Sequence, residues 1–402
     1  IRLLAVRAPM KTFLPSDSAG ELCDRRLELL NLQLAYARAH SSFYRSSLKD
    51  GPEALSDLAE LARLPFLTAA ELESRGRELV CVPLSRIRRI VSLQTSGSVL
   101  PKRLFFSEGD LERTVSFFAE GMGQMTRSGQ KVAVCMPGNT PDGIAGLLSA
   151  GLRRMGAQPL AIGGIADFEE TAELLRREKP RVVVGFPAQV RRLALCAPDL
   201  RPEHVLLSGD YLPRSVCATL SRVWGCGVFN HYGLTESGYG CAVECPCHTG
   251  QHIRHEDLIL EIADIQTGAV LPLGSWGEII LTTLRREAMP LIRYRTGDLG
   301  RLLPGPCGCG DPRPRLDRVR GRIAYAFRSP SVYDLEELLY GMDAVLEFEA
   351  RNTEGGLEIR ALLIERGAAE AVRKAVEAGF PEAHAAVLPC SRLASAGKKT
   401  LL

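Results

Sequence analysis

The chain has 402 residues, 46% of them hydrophobic, with 50 basic and 47 acidic side chains and a formal charge of +3. That length supports a large core split into two or three domains and excludes a small binding module. The near balance of charge excludes a broad polyanion-binding surface, so no nucleic-acid partner is expected. Apolar runs are broken by charge, Gly or Pro before 18 residues, which excludes a spanning helix and leaves no membrane partner. Residues Ile1 to Leu14 lack the apolar block and cleavage site of a leader, so the cytoplasm is the expected location.

In chain order, Leu22 to Ser47 reads as helical, with Leu29, Leu30, Leu32, Tyr36, Phe43 and Tyr44 as packing positions. Thr68 then caps a short helix, with Glu71 as its capping-box partner. From residue 86 strands and helices alternate. Strands are expected at 89–93, 131–136, 159–162, 181–185, 204–208 and 227–230, and helices at 110–125, 143–154 and 167–178. This alternation predicts a mostly parallel sheet covered by helices, with ligands beyond the strand carboxyl ends. Beyond residue 319, strands at 344–349 and 357–364 and a helix at 368–378 give a small α/β unit. The expected division is 1–85 as a helical N-terminal portion, 86–318 as the core and 319–402 as a C-terminal cap.

Four runs carry polar groups suited to a nucleotide. After the strand at 89–93, Thr95-Ser-Gly-Ser-Val-Leu-Pro-Lys102 offers the hydroxyls of Ser96 and Ser98, the backbone freedom of Gly97 and the charge of Lys102 to phosphate oxygens. It lacks Walker spacing, and by itself the run reads more readily as an ordinary strand-to-helix turn. Ser208-Gly209-Asp210 and Asn230-His-Tyr-Gly-Leu-Thr-Glu236 each follow a strand and can meet at one sheet edge. There Tyr232 can stack on adenine, Gly233 permits close backbone approach, Thr235 can bond a phosphate and Glu236 can help hold magnesium. Thr235 and Glu236 equally fit a helix cap. Asp298, in Tyr294-Arg-Thr-Gly-Asp-Leu-Gly300, can accept two ribose hydroxyls. His231 either lines an acyl pocket or is a structural histidine. Phe186, Phe229 and the turn at 161–164 read either as acyl-pocket walls or as core and turn residues.

Five of the twelve cysteines, Cys241, Cys245, Cys247, Cys307 and Cys309, cluster around His248, His252 and His255. Cys245, His252, Cys307 and Cys309 suit a closed, structural tetrahedral zinc site, with Cys241, Cys247, His248 or His255 as substitutes for one ligand.

The four nucleotide runs occur in the order seen in adenylate-forming (AMP-binding) ligases. The flanking Tyr36 to Leu48, Pro65 to Leu72 and Ala288-Met-Pro-Leu-Ile-Arg-Tyr-Arg-Thr-Gly-Asp298 resemble the phenylacetate–coenzyme A ligase branch. The resemblance implies an α/β fold: a large N-terminal domain of layered sheets and helices with a small mobile α/β C-terminal cap. It also implies a two-step ligase using ATP, magnesium and coenzyme A on a carboxylic acid, with an aromatic acid expected. Lys398, in Ser395-Ala-Gly-Lys398, matches the lysine that assists adenylation in the family. With Thr235 and Glu236 it makes the expected catalytic set. Gly321-Arg322 matches the domain-junction signature, which implies that Arg322 reaches ribose or phosphate. A Cys and a His before the Thr-Gly-Asp turn and two Cys after it also match that branch.

Two departures stand out. Val99-Leu100 replaces the Thr-Gly of the family's phosphate loop, one position shorter, and Ala324-Tyr325 replaces acidic residues after Arg322. They keep open a regulatory pseudo-ligase that binds nucleotide, as well as an acceptor other than coenzyme A. Oligomeric state also stays open, with a homodimer among the options.

Overall fold

The computed structural model describes residues 19–93, 101–391 and 393. Helix α1 (Ala19–His40) is followed by α2 (Ser42–Ser47), which Ser41 caps by accepting from the Tyr44 backbone. Leu30, Leu34, Phe43 and Tyr44 are buried, but Leu32, expected to pack, is 55% exposed. Two residues make about 200° of helix, so Leu32 lies across from the Leu30 and Leu34 face. Helix α3 (Ala69–Arg75) opens with the predicted Thr68–Glu71 capping box.

Strand β1 (Ile87–Leu93) does not join the parallel sheet, contrary to the alternating pattern. It pairs antiparallel with β2 (Lys102–Ser107), a strand not foreseen. The eight residues between them are too few for a crossover helix, so the chain returns as a hairpin. Lys102 is thereby the first residue of a buried strand rather than part of a free loop.

Next come α4 (Glu108–Met122), β3 (Lys131–Cys135), α5 (Ile144–Arg154), β4 (Gln158–Ala161) and α6 (Phe168–Glu178). They lead into β5 (Val182–Gly185), α7 (Pro187–Cys196), β6 (His204–Ser208), α8 (Arg214–Trp224) and β7 (Gly227–Tyr232). The order β7-β6-β5-β3-β4 is parallel throughout. Alternate residues face opposite cores: Val132 and Val134 join the cluster that includes α1, α4 and α5, whereas Ala133 and Cys135 join the cluster of α6, α7 and α8. Burial on both faces is what a parallel sheet requires.

The sheet continues antiparallel through β8 (Ala242–Glu244) and β9 (Gln251–Ile253). Strands β10 (Leu258–Ala263), β11 (Gly277–Thr283) and β12 (Tyr294–Gly300) form a separate antiparallel sheet. Strands β13 (Leu302–Leu303) and β14 (Arg315–Leu316) return to the edge of the large sheet beside β9. The smaller C-terminal domain holds α9 (Ile323–Ala326), α10 (Val332–Leu339), β15 (Val345–Thr353), β16 (Gly356–Leu363), α11 (Ala369–Gly379) and β17 (Ala385–Pro389). Its strands run in the order β15-β16-β17. Val332, Leu335, Tyr340 and Phe348 share the core cluster of α7 and α8, so the two domains meet through buried apolar surface. No described helix is long and apolar enough to cross a membrane.

Candidate active site and metal centre

A cleft of about 1050 Å³ opens beyond the carboxyl ends of β6 and β7, bounded opposite by β12 and by residues 319–325. Gly209 and Asp210 after β6, Tyr232 and Gly233 at the end of β7, Lys102, Asp298 and Arg322 all border it. Seven of the expected site residues, from five separate chain segments, therefore converge. Gly209 has φ +87°, and a side chain there would strike the Phe186 ring. A Cβ on Gly233 would overlap the Tyr239 carbonyl oxygen, so glycine is needed for packing of the chain against itself.

The Asp298 carboxylate is aimed by a bulge. Between Glu278 and Ile280, β11 takes two steps while β12 takes four, from Leu299 to Arg295. The extra residues turn at Gly297, φ +73°, whose N–H donates to Glu278 Oε1 at 3.0 Å. Bulges re-aim side chains in this way beside functional sites. Asp298 accepts from the Tyr232 hydroxyl at 2.7 Å and lies 3.2 Å from Arg322 Nε. Tyr232 was expected to stack on adenine; its ring borders the cleft while its hydroxyl is tied to Asp298. Burial and the adjacent carboxylate raise the Tyr232 phenol well above its ordinary value, so it stays a donor. The Arg322 backbone N–H donates to Tyr333 Oη at 2.6 Å, a cap contact that sequence spacing did not signal.

Lys102 and Glu236 form a buried ion pair, each side chain 6% exposed. Tyr294 completes the group: Lys102 Nζ donates to its hydroxyl at 3.1 Å, and that hydroxyl donates to Glu236 Oε1 at 3.0 Å. Burial opposes ionisation of Glu236, but Lys102 outweighs it and holds the carboxyl below its usual value. Thr235 and Glu236 do not border the cleft directly. The helix-cap alternative for them fails, because Thr235 to Gly238 form a tight turn closed by Gly238 N–H on Thr235 O, and the chain reverses into β8. Ser208 faces away from the cleft and binds His231 Nδ1 at 2.7 Å through its Oγ. Ser96, Gly97, Ser98 and Lys398 lie outside the described residues. Phe229 is core, packed on His204 and His248, and Phe186 sits beneath Gly209.

A second centre lies at the β9–β14 edge. The ligand atoms of Cys245, His252, Cys307 and Cys309 all fall within 4.8 Å of one another. Cys245 Sγ is 3.6 Å from Cys307 Sγ, and Cys309 Sγ is 3.4 Å from His252 Nε2. Tetrahedral zinc with bonds of about 2.0–2.3 Å would space its ligands roughly 3.3–3.8 Å apart, so the donor set fits. Asp311 Oδ2 stands 3.6 Å behind His252 Nδ1, in the position of an orienting carboxylate. Arg315 braces the cysteine loop by donating to the carbonyls of Pro304, Gly305 and Pro306. Of the other candidates, Cys241 is in the main core, His248 contacts Glu244 and Phe229, and Cys247 is exposed at the rim.

A large mixed-sheet domain, a smaller α/β cap and a cleft between them define the adenylate-forming architecture. The family model for AMP-binding enzymes matches residues 154–283. A phenylacetate-coenzyme A ligase from Pseudomonas putida is 28% identical over 79% of this chain and 73% of its own length. A fumarate–(S)-2,3-diaminopropanoate ligase from Enterobacter agglomerans is 23% identical over 83% of this chain and 85% of its own. A solved 2-hydroxyisobutyryl-CoA ligase in its postadenylation state superposes with a TM-score of 0.81 at 20% identity, covering 97% of this chain and 93% of that one. In its thioesterification state the same ligase gives 0.70.

Proposed function

We propose that the protein is an ATP-dependent carboxylate–coenzyme A ligase working through an acyl-adenylate. The observation that carries this reading is the convergence of Tyr232, Asp298, Arg322 and the Lys102–Glu236 pair around one cleft at the strand carboxyl ends. Asp298 is placed to accept ribose hydroxyls, with Tyr232 and Arg322 fixing its orientation. Lys102 is placed to meet phosphate oxygens once it parts from Glu236, which is then free to help hold magnesium, whose charge would offset that of the phosphates. A carboxylate oxygen attacks the α-phosphorus and pyrophosphate leaves. The thiol of coenzyme A, losing its proton, then attacks the acyl carbon and AMP leaves. Ser96, Gly97 and Ser98 are assigned to the phosphates, and Lys398, carried on the cap formed by residues 319–402, to the adenylation step.

Zinc held by Cys245, His252, Cys307 and Cys309 would be structural, a closed clip with no open coordination position. The phenylacetate ligases among the relatives support an aromatic acid. The diaminopropanoate ligase supports keeping an acceptor other than coenzyme A in view. The Lys102–Glu236 pair also favours one alternative, because two buried charges that satisfy each other suit a nucleotide-binding pseudo-ligase that turns over poorly.

Acid-dependent exchange of labelled pyrophosphate into ATP, measured across a panel of acids, tests the first step. Thioester formation and AMP release on adding coenzyme A test the second. Nucleotide binding without exchange for any acid establishes the pseudo-ligase instead.

A further inference from the structure

Behind β7, on the face covered by α4 and α5, lies a cavity of about 30 Å³. Its walls are apolar, with Phe117, Phe118, Met122, Met136 and Leu148 among them. Two polar side chains interrupt them, Ser208 at 6% and His231 at 7% exposure. The Ser208 bond occupies His231 Nδ1, and the other ring nitrogen, Nε2, is enclosed with no partner among the described residues. The neighbours of the ring are Phe117 and Phe118, at 5.9 and 6.1 Å between centroids, which offer no hydrogen bond. Leaving such an atom unmatched in an apolar setting is costly, so the site calls for a partner. His231 is also the one residue common to the linings of the cavity and the cleft.

Resting on the ligase reading, we infer that this cavity receives the acyl side group and that His231 selects a small aliphatic acid carrying a hydroxyl. Size argues first. About 30 Å³ takes a group of roughly two water-sized units, whereas a cavity that admits benzene is about 150 Å³. An aromatic side group exceeds that space, so the inferred acid departs from the aromatic one that the phenylacetate ligases support. Hydrogen-bond chemistry argues second: the Ser208 contact leaves Nε2 either donor or acceptor depending on tautomer, and a hydroxyl serves both. Burial pulls the imidazole down to about 4, so at neutral pH it is an uncharged partner. The acid's carboxylate gains no ion pair there and stays in the cleft, where it must react.

The test compares acids that differ by hydroxyl against methyl: lactate with isobutyrate, and 3-hydroxybutyrate with isovalerate, alongside phenylacetate, each in pyrophosphate exchange. The hydroxy acid of at least one pair is expected to lead by about 10-fold or more in kcat/KM, with phenylacetate below it. In His231→Leu that lead falls to about 3-fold or less, and His231→Gln keeps part of it. Each ratio is measured within one sample, so loss of folded protein cancels. A preference for phenylacetate, a pair ratio near one, or an unchanged ratio in His231→Leu overturns the inference while leaving the ligase reading intact. If no acid supports exchange, the ligase reading fails. The cavity is then judged with 15N-histidine-labelled protein and AMP: a shift of the His231 Nε2 resonance on adding lactate or 3-hydroxybutyrate, absent with isobutyrate and isovalerate, sustains the selection, and no shift overturns it.

Discussion

Lys102 and Glu236 stand 134 positions apart and are buried against each other, so neither tolerates loss of its partner. Lys102→Met leaves the buried Glu236 carboxylate without its paired cation and is expected to lower unfolding free energy by about 3–5 kcal/mol in denaturant titrations. The double variant Lys102→Met/Glu236→Leu should recover most of that loss, because it removes both desolvated charges. His231 gives a pH signature. Its folded pKa, pulled down to about 4 by burial, lies below its ordinary 6.5, so the unfolded chain binds the proton more readily. The stability of the neutral buried ring is complete above pH 6.5 and is lost as pH falls toward 4, by on the order of 3 kcal/mol. His231→Leu should flatten that segment of the stability profile. The residue types at both sites were readable in the sequence, but the pairings were not. Lys102 was expected in a phosphate loop and Glu236 on a metal, since nothing local announces a partner so distant.

At the level of elements, the cysteine grouping was the most legible feature, because Cys307-Gly-Cys309 forms a knuckle that a spacing alone suggests. The quartet that spacing favoured is the one the fold gathers. We expect purified protein to carry about one zinc per chain by elemental analysis, and Cys309→Ser to lose it. Because the clip ties the β8–β9 excursion to the loop before β14, that variant should melt about 5 °C or more below the parent. Equal metal content in parent and variant would refute the clip. The β1–β2 hairpin and the β11–β12 bulge were less legible. A strand's period reports which face is buried, but not whether its neighbour runs parallel or where register slips.

Across the whole molecule, Arg191 ties the cap to the core. It is fully buried on α7, and its guanidinium donates to Val345 O at 2.7 Å and Met342 O at 2.9 Å. Burial pulls its pKa down to about 10, still charged at neutral pH. At a separate contact between cap and core, Glu337 of α10 accepts from the Tyr211 hydroxyl and the Arg214 backbone, each at 2.9 Å. Arg191→Met removes the guanidinium donor from the buried Val345 carbonyl, at a cost of about 1–3 kcal/mol, and one of two donors from the part-buried Met342 carbonyl, which keeps the Val345 N–H. Cleavage near residues 319–331 in limited proteolysis should accelerate by about 10-fold or more while the core fragment persists. If the cap swings between half-reactions, the same variant alters thioester formation more than pyrophosphate exchange.

By itself the sequence determined the alternation of strands and helices, the Thr68 cap, the order of the nucleotide runs and the cysteine–histidine cluster. Each is written in nearest neighbours: a period of two or 3.6, a turn residue, a spacing of ligands. Only the tertiary structure decided that β1 leaves the parallel sheet, that Tyr232, Asp298 and Arg322 lock together, that Lys102 pairs with Glu236, and that His231 faces a small, largely apolar cavity. Those outcomes depend on which groups meet in the folded chain, 66 residues apart for Tyr232 and Asp298 and 134 for Lys102 and Glu236. Such meetings are set by the packing of whole layers, which no local pattern encodes.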